Sequence, residues 1–201
     1  MRMILLDNGH GFDTPGKRSP IWEDGSYILE WKYCRAIVKE IAKALKELNI
    51  PCHILVPEDN DIPLRTRVQR ANRVAAQNGI SQTLLISVHL NAAQNTNSAS
   101  GWEIHTSPGE TKSDEYARVF WDAAKEILGE RFPMRGDFED GNPDRDSSLA
   151  IIRDTACPAV LTENLFMNTE KDCRFLMSKE GEKAIIDIHI KSIIRICSGT
   201  S

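Results

Sequence analysis

Four polar side chains in this sequence have the types and positions needed for metal-assisted hydrolysis. His10 lies in a glycine-flanked turn, His89 ends an apolar run, and Glu30 stands near the start of a helical pattern. Two imidazoles and one carboxylate form a common catalytic zinc set, in which a fourth position stays open for water. Zinc lowers the pKa of such a water and polarises a carbonyl group. Glu163 follows a second apolar run, where a buried carboxylate is costly unless it has a role.

The elements that would position these residues follow from the spacing of apolar side chains. Short apolar runs predict strands at residues 3–6, 52–56, 83–89, 102–106 and 159–162. Amphipathic spacing predicts helices at residues 27–48, 64–78, 113–128, 170–177 and 180–196. Ser26 is the expected N-cap of the first helix. Two segments rich in Gly, Pro and acids indicate loops, at residues 11–26 and 129–147.

Strands that alternate with helices, without a linker or an internal repeat, predict one α/β domain over residues 1–201. We expect a three-layer sandwich, with a mostly parallel central sheet and helices on both faces. Ligands of such sheets bind at the carboxyl ends of the strands. His10, His89 and Glu163 each come at the end of a predicted strand. A histidine or acid at such a position is usually structural when it stands alone, so the predicted meeting at one edge is the main evidence for a site.

Composition limits the classes of function. The chain is 41% hydrophobic and 27% charged, which is typical of a folded globular protein. A net charge of -4 provides no general field for nucleic acid, and no nucleic-acid partner is expected. No segment approaches the ~20 apolar residues of a membrane span or the ~7–15 of a signal peptide. We therefore expect synthesis in the cytoplasm and no membrane insertion. Five scattered cysteines, none in a CxxC pair, predict free thiols.

Several motifs, in order along nearly the whole chain, resemble the zinc-dependent N-acetylmuramoyl-L-alanine amidases of the amidase-3 type. Residues 4–11 (ILLDNGHG) resemble the opening strand and first metal histidine of that family. Glu30 stands where the family has its metal glutamate, and residues 70–72 (RAN) match a signal in its second helix. Residues 85–92 (LISVHLNA) are similar to the second histidine motif. Residues 158–168 (PAVLTENLFMN) resemble the closing motif with the catalytic glutamate.

The resemblance implies one zinc ion per chain, bound by His10, Glu30 and His89, with Glu163 as the general acid and base. It also implies the reaction, which is hydrolysis of the amide that joins N-acetylmuramic acid to L-alanine in peptidoglycan. The chain departs from the family at two positions. The family usually has proline in place of Asn8 and glycine in place of Asn164, differences that concern loop shape and substrate fit rather than the metal.

Other polar residues are candidates for contact with the muropeptide substrate. His105 ends a predicted strand, Asn91 follows His89, and Arg153 precedes the strand of Glu163 and could meet a peptide carboxylate. Each also has an ordinary structural explanation, as a packed residue or a surface ion pair. Glu23, in the long loop before the first helix, is a rival of Glu30 for the metal, although a helix fixes a ligand better.

Two alternative functions remain open at this stage. A peptidoglycan carboxypeptidase or endopeptidase could use the same metal set, but residues 70–72 and 163–168 favour the amidase. A non-catalytic wall-binding module would not need an open metal position. Absence of a visible signal peptide fits a phage-type lysin, and it also fits a trimmed cell-wall enzyme. Either one acts on the cell wall after release or export.

Overall fold

The computed structural model describes residues 2–93, 98–139 and 141–199. Within them the chain forms six strands: β1 (Met3–Asn8), β2 (Cys52–Ile54), β3 (Thr83–Asn91), β4 (Trp102–Thr106), β5 (Arg145–Asp146) and β6 (Ala159–Phe166). It also forms six α-helices: α1 (Glu30–Glu47), α2 (Leu64–Asn78), α3 (Lys112–Leu128), α4 (Ala150–Arg153), α5 (Glu170–Leu176) and α6 (Lys179–Ser198). Single 3-10 turns lie at Ile80–Gln82 and Gly129–Arg131.

The strands form one sheet in the order β2-β1-β3-β6-β4-β5. Strands β2, β1, β3 and β6 are parallel, which confirms the predicted mostly parallel sheet. Strand β4 is antiparallel to β6, and β5 runs parallel to β4. Residues 92–101 connect β3 to β4, and they are fewer than the dozen or more that a parallel return requires. The short connection therefore accounts for the reversal of β4.

Helices cover both faces of the sheet and give the predicted three layers. Alternate residues of β1 point to opposite faces, as the pleat of a strand requires. Ile4 and Leu6 belong to a core that contains the apolar stripes of α1, α3 and α6. Leu5 belongs to the opposite core, with buried residues of α2 and α4.

The first helix begins later than predicted, and Ser26 is not its N-cap. Helix α1 starts at Glu30, with Leu29 as a cap residue that provides no side-chain hydrogen bond. The residues before it stay extended because the Ser19 backbone N–H donates to the Ile28 carbonyl, and residues 18 and 29 form an isolated antiparallel β-bridge. The Ser26 hydroxyl instead donates to Asp24 Oδ1 at 2.6 Å. As a result, Glu30 is the first residue of its helix.

Further features differ from or complete the sequence-based picture. Strand β6 continues to Phe166, so Glu163 lies within it rather than after it. Strand β5 lies inside the predicted loop 129–147, and α4 was not predicted. All five cysteines are free, as predicted. Among the described residues, no helix is long and apolar enough to cross a bilayer.

Candidate functional site

The sheet brings the candidate residues to one edge. In the parallel register, Asn8 lies beside Val88, and His89 lies beside Glu163. His10 follows two residues after β1 ends, and Glu30 opens α1 over the same edge. The strand-end argument from the sequence therefore leads to one cluster, although β3 continues to Asn91 and β6 to Phe166, so His89 and Glu163 both reach it from inside their strands.

His10, Glu30 and His89 form a compact group whose potential ligand atoms all lie within 4.8 Å of one another. Glu30 Oε1 lies 3.4 Å from His10 Nε2 and 3.2 Å from His89 Nδ1. Glu30 Oε2 is buried and has no hydrogen-bond partner among the described residues. Two imidazole nitrogens and a carboxylate with an unpaired buried oxygen fit the ligand preferences of zinc. Glu23, the rival from the sequence, is exposed and does not belong to the group.

The electrostatics of this group favour a charged carboxylate between the two rings. Burial by itself would raise the pKa of Glu30, but hydrogen bonds to His10 and His89 outweigh it and hold that pKa below its ordinary value. Burial by itself would lower the pKa of His89, but contact with Glu30 and the charge of Glu163 raise it. Glu30 is therefore an anion that attracts positive charge to this position.

Arg67 holds the turn that carries His10, and the sequence argument missed it. Its Nη1 donates to Asp7 Oδ1 at 3.0 Å and to the Asn8 carbonyl at 2.6 Å, and its Nη2 donates to the His10 carbonyl at 3.2 Å. Ser87 Oγ donates to the other oxygen of Asp7 at 2.6 Å. These bonds support a turn in which His10 has a φ of 60°, a backbone conformation that non-glycine residues adopt infrequently.

Arg70, the arginine of the motif at residues 70–72, has a different partner from Arg67. Arg70 forms an ion pair with Glu58 at 2.6 Å instead. A signal for Arg67 was present in the sequence, since it shares the buried stripe of α2 with Ala71 and Ala75, four and eight residues later. A charged residue in such a stripe needs a buried partner. Here that partner is Asp7.

The ring and backbone of His89 are also fixed. A side chain at residue 9 would overlap the ring, since a Cβ on Gly9 would lie 2.5 Å from His89 Nδ1. Asn164 Nδ2 donates to the His89 carbonyl at 3.0 Å, while Asn164 Oδ1 accepts from Trp102 Nε1 at 2.9 Å. Asn164, a departure from the family pattern, thus supports the backbone of a candidate metal residue.

Glu163 stands between His89 on one neighbouring strand and Glu103 on the other. Burial raises the pKa of Glu163 to about 8, and the charges of Glu30 and Glu103 add to this while His89 opposes it. Its Oε2 is buried without a hydrogen-bond partner among the described residues. A carboxyl group with a pKa near neutrality can both accept and release a proton, as a general acid and base must.

Glu103, which the sequence argument also missed, is the centre of a polar cluster beside Glu163. It accepts hydrogen bonds from Asn91 Nδ2 at 2.6 Å and Arg135 Nε at 2.9 Å, and His105 Nε2 lies 3.4 Å away. Burial opposes its ionisation, but the bonds to His105 and Arg135 dominate and lower the pKa of Glu103 to about 2. An acid in a short strand carries no sequence signal for such a cluster.

The three residues expected to contact substrate have different surroundings. Asn91 lies beside the group and bonds Glu103. His105 was placed there because its strand was expected to end at the site, but β4 is antiparallel to β6 and begins there. His105 instead forms a hydrogen bond with the Ser147 hydroxyl, and the other nitrogen of its ring faces Glu103. Arg153 lies on α4, before β6 begins, and its guanidinium forms a surface ion pair with Asp154, so it does not join the group.

Comparison with known proteins identifies the family. A family model described as N-acetylmuramoyl-L-alanine amidase matches residues 4–195. The chain belongs to this amidase family. The endolysin of Bacillus phage SPP1 is 26% identical over 97% of the chain, and the amidase CwlM of Bacillus licheniformis is 25% identical over 97%. The chain spans 66% and 68% of the lengths of these two relatives.

The amidase fold is also shared with solved structures. The N-acetylmuramoyl-L-alanine amidase of Clostridium difficile 630 superposes with a TM-score of 0.83 and 21% identity, and the match covers 100% of this chain and 98% of the other. The similarity of this structure to the chain supports the fold described above. Membership of the amidase family favours the amidase over the two alternatives that the sequence left open.

Proposed function

We propose that this chain hydrolyses the amide bond between N-acetylmuramic acid and L-alanine in peptidoglycan, with one zinc ion held by His10, Glu30 and His89. The observation that carries the proposal is the compact His-Glu-His group, with ligand atoms within 4.8 Å of one another and Glu163 on the adjacent strand. Membership of the amidase family supports the substrate class.

The residues of the site would divide the chemistry among them. When bound, zinc supplies a Lewis acid that polarises a carbonyl group and acidifies a water molecule. Glu163 would accept the proton of the attacking water and deliver it to the L-alanine nitrogen as that amine leaves. A positive charge nearby favours the carboxylate form of Glu163 and so prepares it to act first as a base. General acid–base help of this kind contributes ~10²–10⁴-fold to the rate.

The remaining contacts would keep the catalytic groups in place. Arg67 fixes the carbonyls of Asn8 and His10, and Asn164 fixes the carbonyl of His89. Both histidines therefore lie on backbone that buried side chains hold in place. Asn91 remains a proposed contact for the muropeptide, through its position beside Glu103.

The whole protein would act on the cell wall. Both relatives bear on this, since one is named an endolysin and the other an N-acetylmuramoyl-L-alanine amidase. Lysis of a host wall by a phage-type enzyme and remodelling of a cell's own wall use the same bond cleavage.

Metal content and wall digestion, measured on the same samples, test the proposal. We expect about one zinc per chain in the wild type, and loss of both zinc and lytic activity in His10→Ala, Glu30→Ala and His89→Ala. Glu23→Ala is the matched control, since it removes a carboxylate from the preceding loop and should keep both properties. Full zinc occupancy in either histidine variant, or zinc loss in Glu23→Ala, would contradict the proposed ligand set.

A further inference from the structure

Arg135 extends the row of functional side chains across the sheet. His89, Glu163 and Glu103 lie side by side on three neighbouring strands. Arg135 Nε donates to Glu103 Oε2 at 2.9 Å, which places the guanidinium next in this row. Strand spacing is about 4.8 Å, so Glu103 is about 10 Å from the His89 position and Arg135 lies beyond it.

The backbone and the ring beneath it hold Arg135 firmly. Its N–H donates to the Trp102 carbonyl at 2.9 Å, while Trp102 N–H donates to the Pro133 carbonyl at 3.0 Å. The two chain segments can lie this close only because residue 101 is glycine, since a Cβ there would lie 2.2 Å from the Pro133 oxygen. The guanidinium carbon lies 5.0 Å from the centroid of the Phe166 ring. Arg135 is thus positioned in advance, and its hydrogen-bonding fork has a defined direction.

Arg135 has N–H donors without a partner in the part of the chain that the structure describes. A guanidinium carries five N–H donors, and only Nε of Arg135 donates to a side chain among the described residues. Its side chain is 38% exposed. The free edge formed by Nη1 and Nη2 matches the geometry of a carboxylate. Glu103 is ionised and would repel a substrate carboxylate, and the Arg135 edge offsets that repulsion at this end of the row.

We infer that Arg135 binds a free carboxylate of the peptidoglycan stem peptide and makes the site selective for stems that carry one. This inference rests on the proposed function. An extended chain spans at most ~3.5 Å per residue, so a stem with its scissile amide near His89 reaches the end of the row with its second or third residue. In a stem of L-alanine, γ-linked D-glutamate and diaminopimelate, both of those residues carry a carboxylate.

Three muramoyl-tripeptides, each with its C-terminal carboxyl group blocked as an amide, separate these sources. One has both carboxylates free, one has an amide on the second residue, and one has an amide on the side chain of the third residue. We expect the wild type to cleave the free form about 10- to 100-fold better, in kcat/KM, than one of the two amidated forms, the range expected for a charge-assisted contact. The difference should lie mainly in KM, because the contact is remote from the bond that breaks.

Substitution of Arg135 tests whether the selectivity belongs to this residue. Arg135→Gln should reduce the preference to near onefold, and Arg135→Lys should keep part of it, since the charge remains without the fork. Arg174→Gln is the matched control, because Arg174 is 37% exposed and ion-paired to Asp24 and Glu170. It should keep the wild-type preference. Zinc content and the thermal unfolding midpoint would be measured for each variant, to compare folded proteins.

The outcomes are distinct. A purely structural role for Arg135 would lower activity on all three substrates by the same factor and leave the ratio unchanged, which would overturn the inference. Equal cleavage of the three by the wild type would overturn it as well and leave the proposed function standing. Failure of the wild type to release a tripeptide with a free L-alanine amine from any of them would overturn the proposed function itself.

Discussion

A buried histidine outside the metal group should make the fold sensitive to acid. His189 on α6 is fully buried, and burial lowers its pKa from 6.5 to about 4. Its Nδ1 donates to the Ile185 carbonyl at 2.7 Å, which leaves Nε2 to accept from the Thr162 hydroxyl at 3.0 Å. Both bonds suit the neutral ring. A second proton on Nε2 would remove the acceptor that Thr162 uses.

The magnitude follows from the two pKa values. The unfolded chain takes up the proton near pH 6.5 and the folded chain only near pH 4, so the stability present above pH 6.5 is lost as the pH falls toward 4. The full difference of about 2.5 pKa units corresponds to roughly 3 kcal/mol. Between pH 7.5 and pH 5.0 the linkage removes about 2 kcal/mol from the free energy of unfolding.

Denaturant unfolding of the wild type and His189→Gln isolates this contribution. Glutamine can bond both partners but does not titrate. The measurements are made with a chelator, at constant ionic strength, from pH 7.5 to 5.0. Over that range the free energy of unfolding of the wild type should fall by about 2 kcal/mol more than that of the variant. His53→Gln, at an exposed position, serves as a control for the substitution itself. Parallel loss of stability in the wild type and His189→Gln would refute the reasoning.

Three further results are expected. Glu163→Gln should keep about one zinc per chain while turnover falls by ~10²–10⁴-fold; zinc loss would make Glu163 a ligand, and normal turnover would leave it without a catalytic role. Arg67→Met leaves the buried Asp7 carboxylate without its cation and should lower the free energy of unfolding by about 3–5 kcal/mol. Asp7→Asn in the same chain should restore part of that free energy. No recovery in the double variant would argue against the Arg67–Asp7 pairing. Thiol titration of unfolded, unreduced protein should find all five cysteines reactive, and three or fewer would show disulfides.

The part of the fold and site that sequence predicts is the part set by local pattern. Apolar runs locate β1, β3 and β6, and the rule that ligands bind at the ends of parallel strands predicts that His10 and His89 lie together. The helical spacing of apolar residues also predicts Glu30 near the start of a helix. The extended backbone around Ser19 and Ile28 delays that start to Glu30 itself.

The features that the sequence did not predict depend on the direction of a strand and on the phase of a helix. The reversal of β4 moves the end of that strand away from the site, which is why His105 contacts Glu103 and Ser147 instead of lying at the end of a parallel strand. Helical phase decides that Arg67 and not Arg70 faces the buried Asp7. The contact of Arg135 with Glu103 joins residues far apart in sequence, and no local pattern encodes it.

The bond that is cut tests the central claim most directly. Purified peptidoglycan would be digested with the zinc-loaded protein and the fragments analysed by mass spectrometry, with Glu163→Gln as the blank. We predict glycan strands with bare muramic acid and free stem peptides that begin with an unblocked L-alanine. Fragments in which L-alanine stays attached to muramic acid while the peptide is cut further along would contradict the account and indicate an endopeptidase or carboxypeptidase.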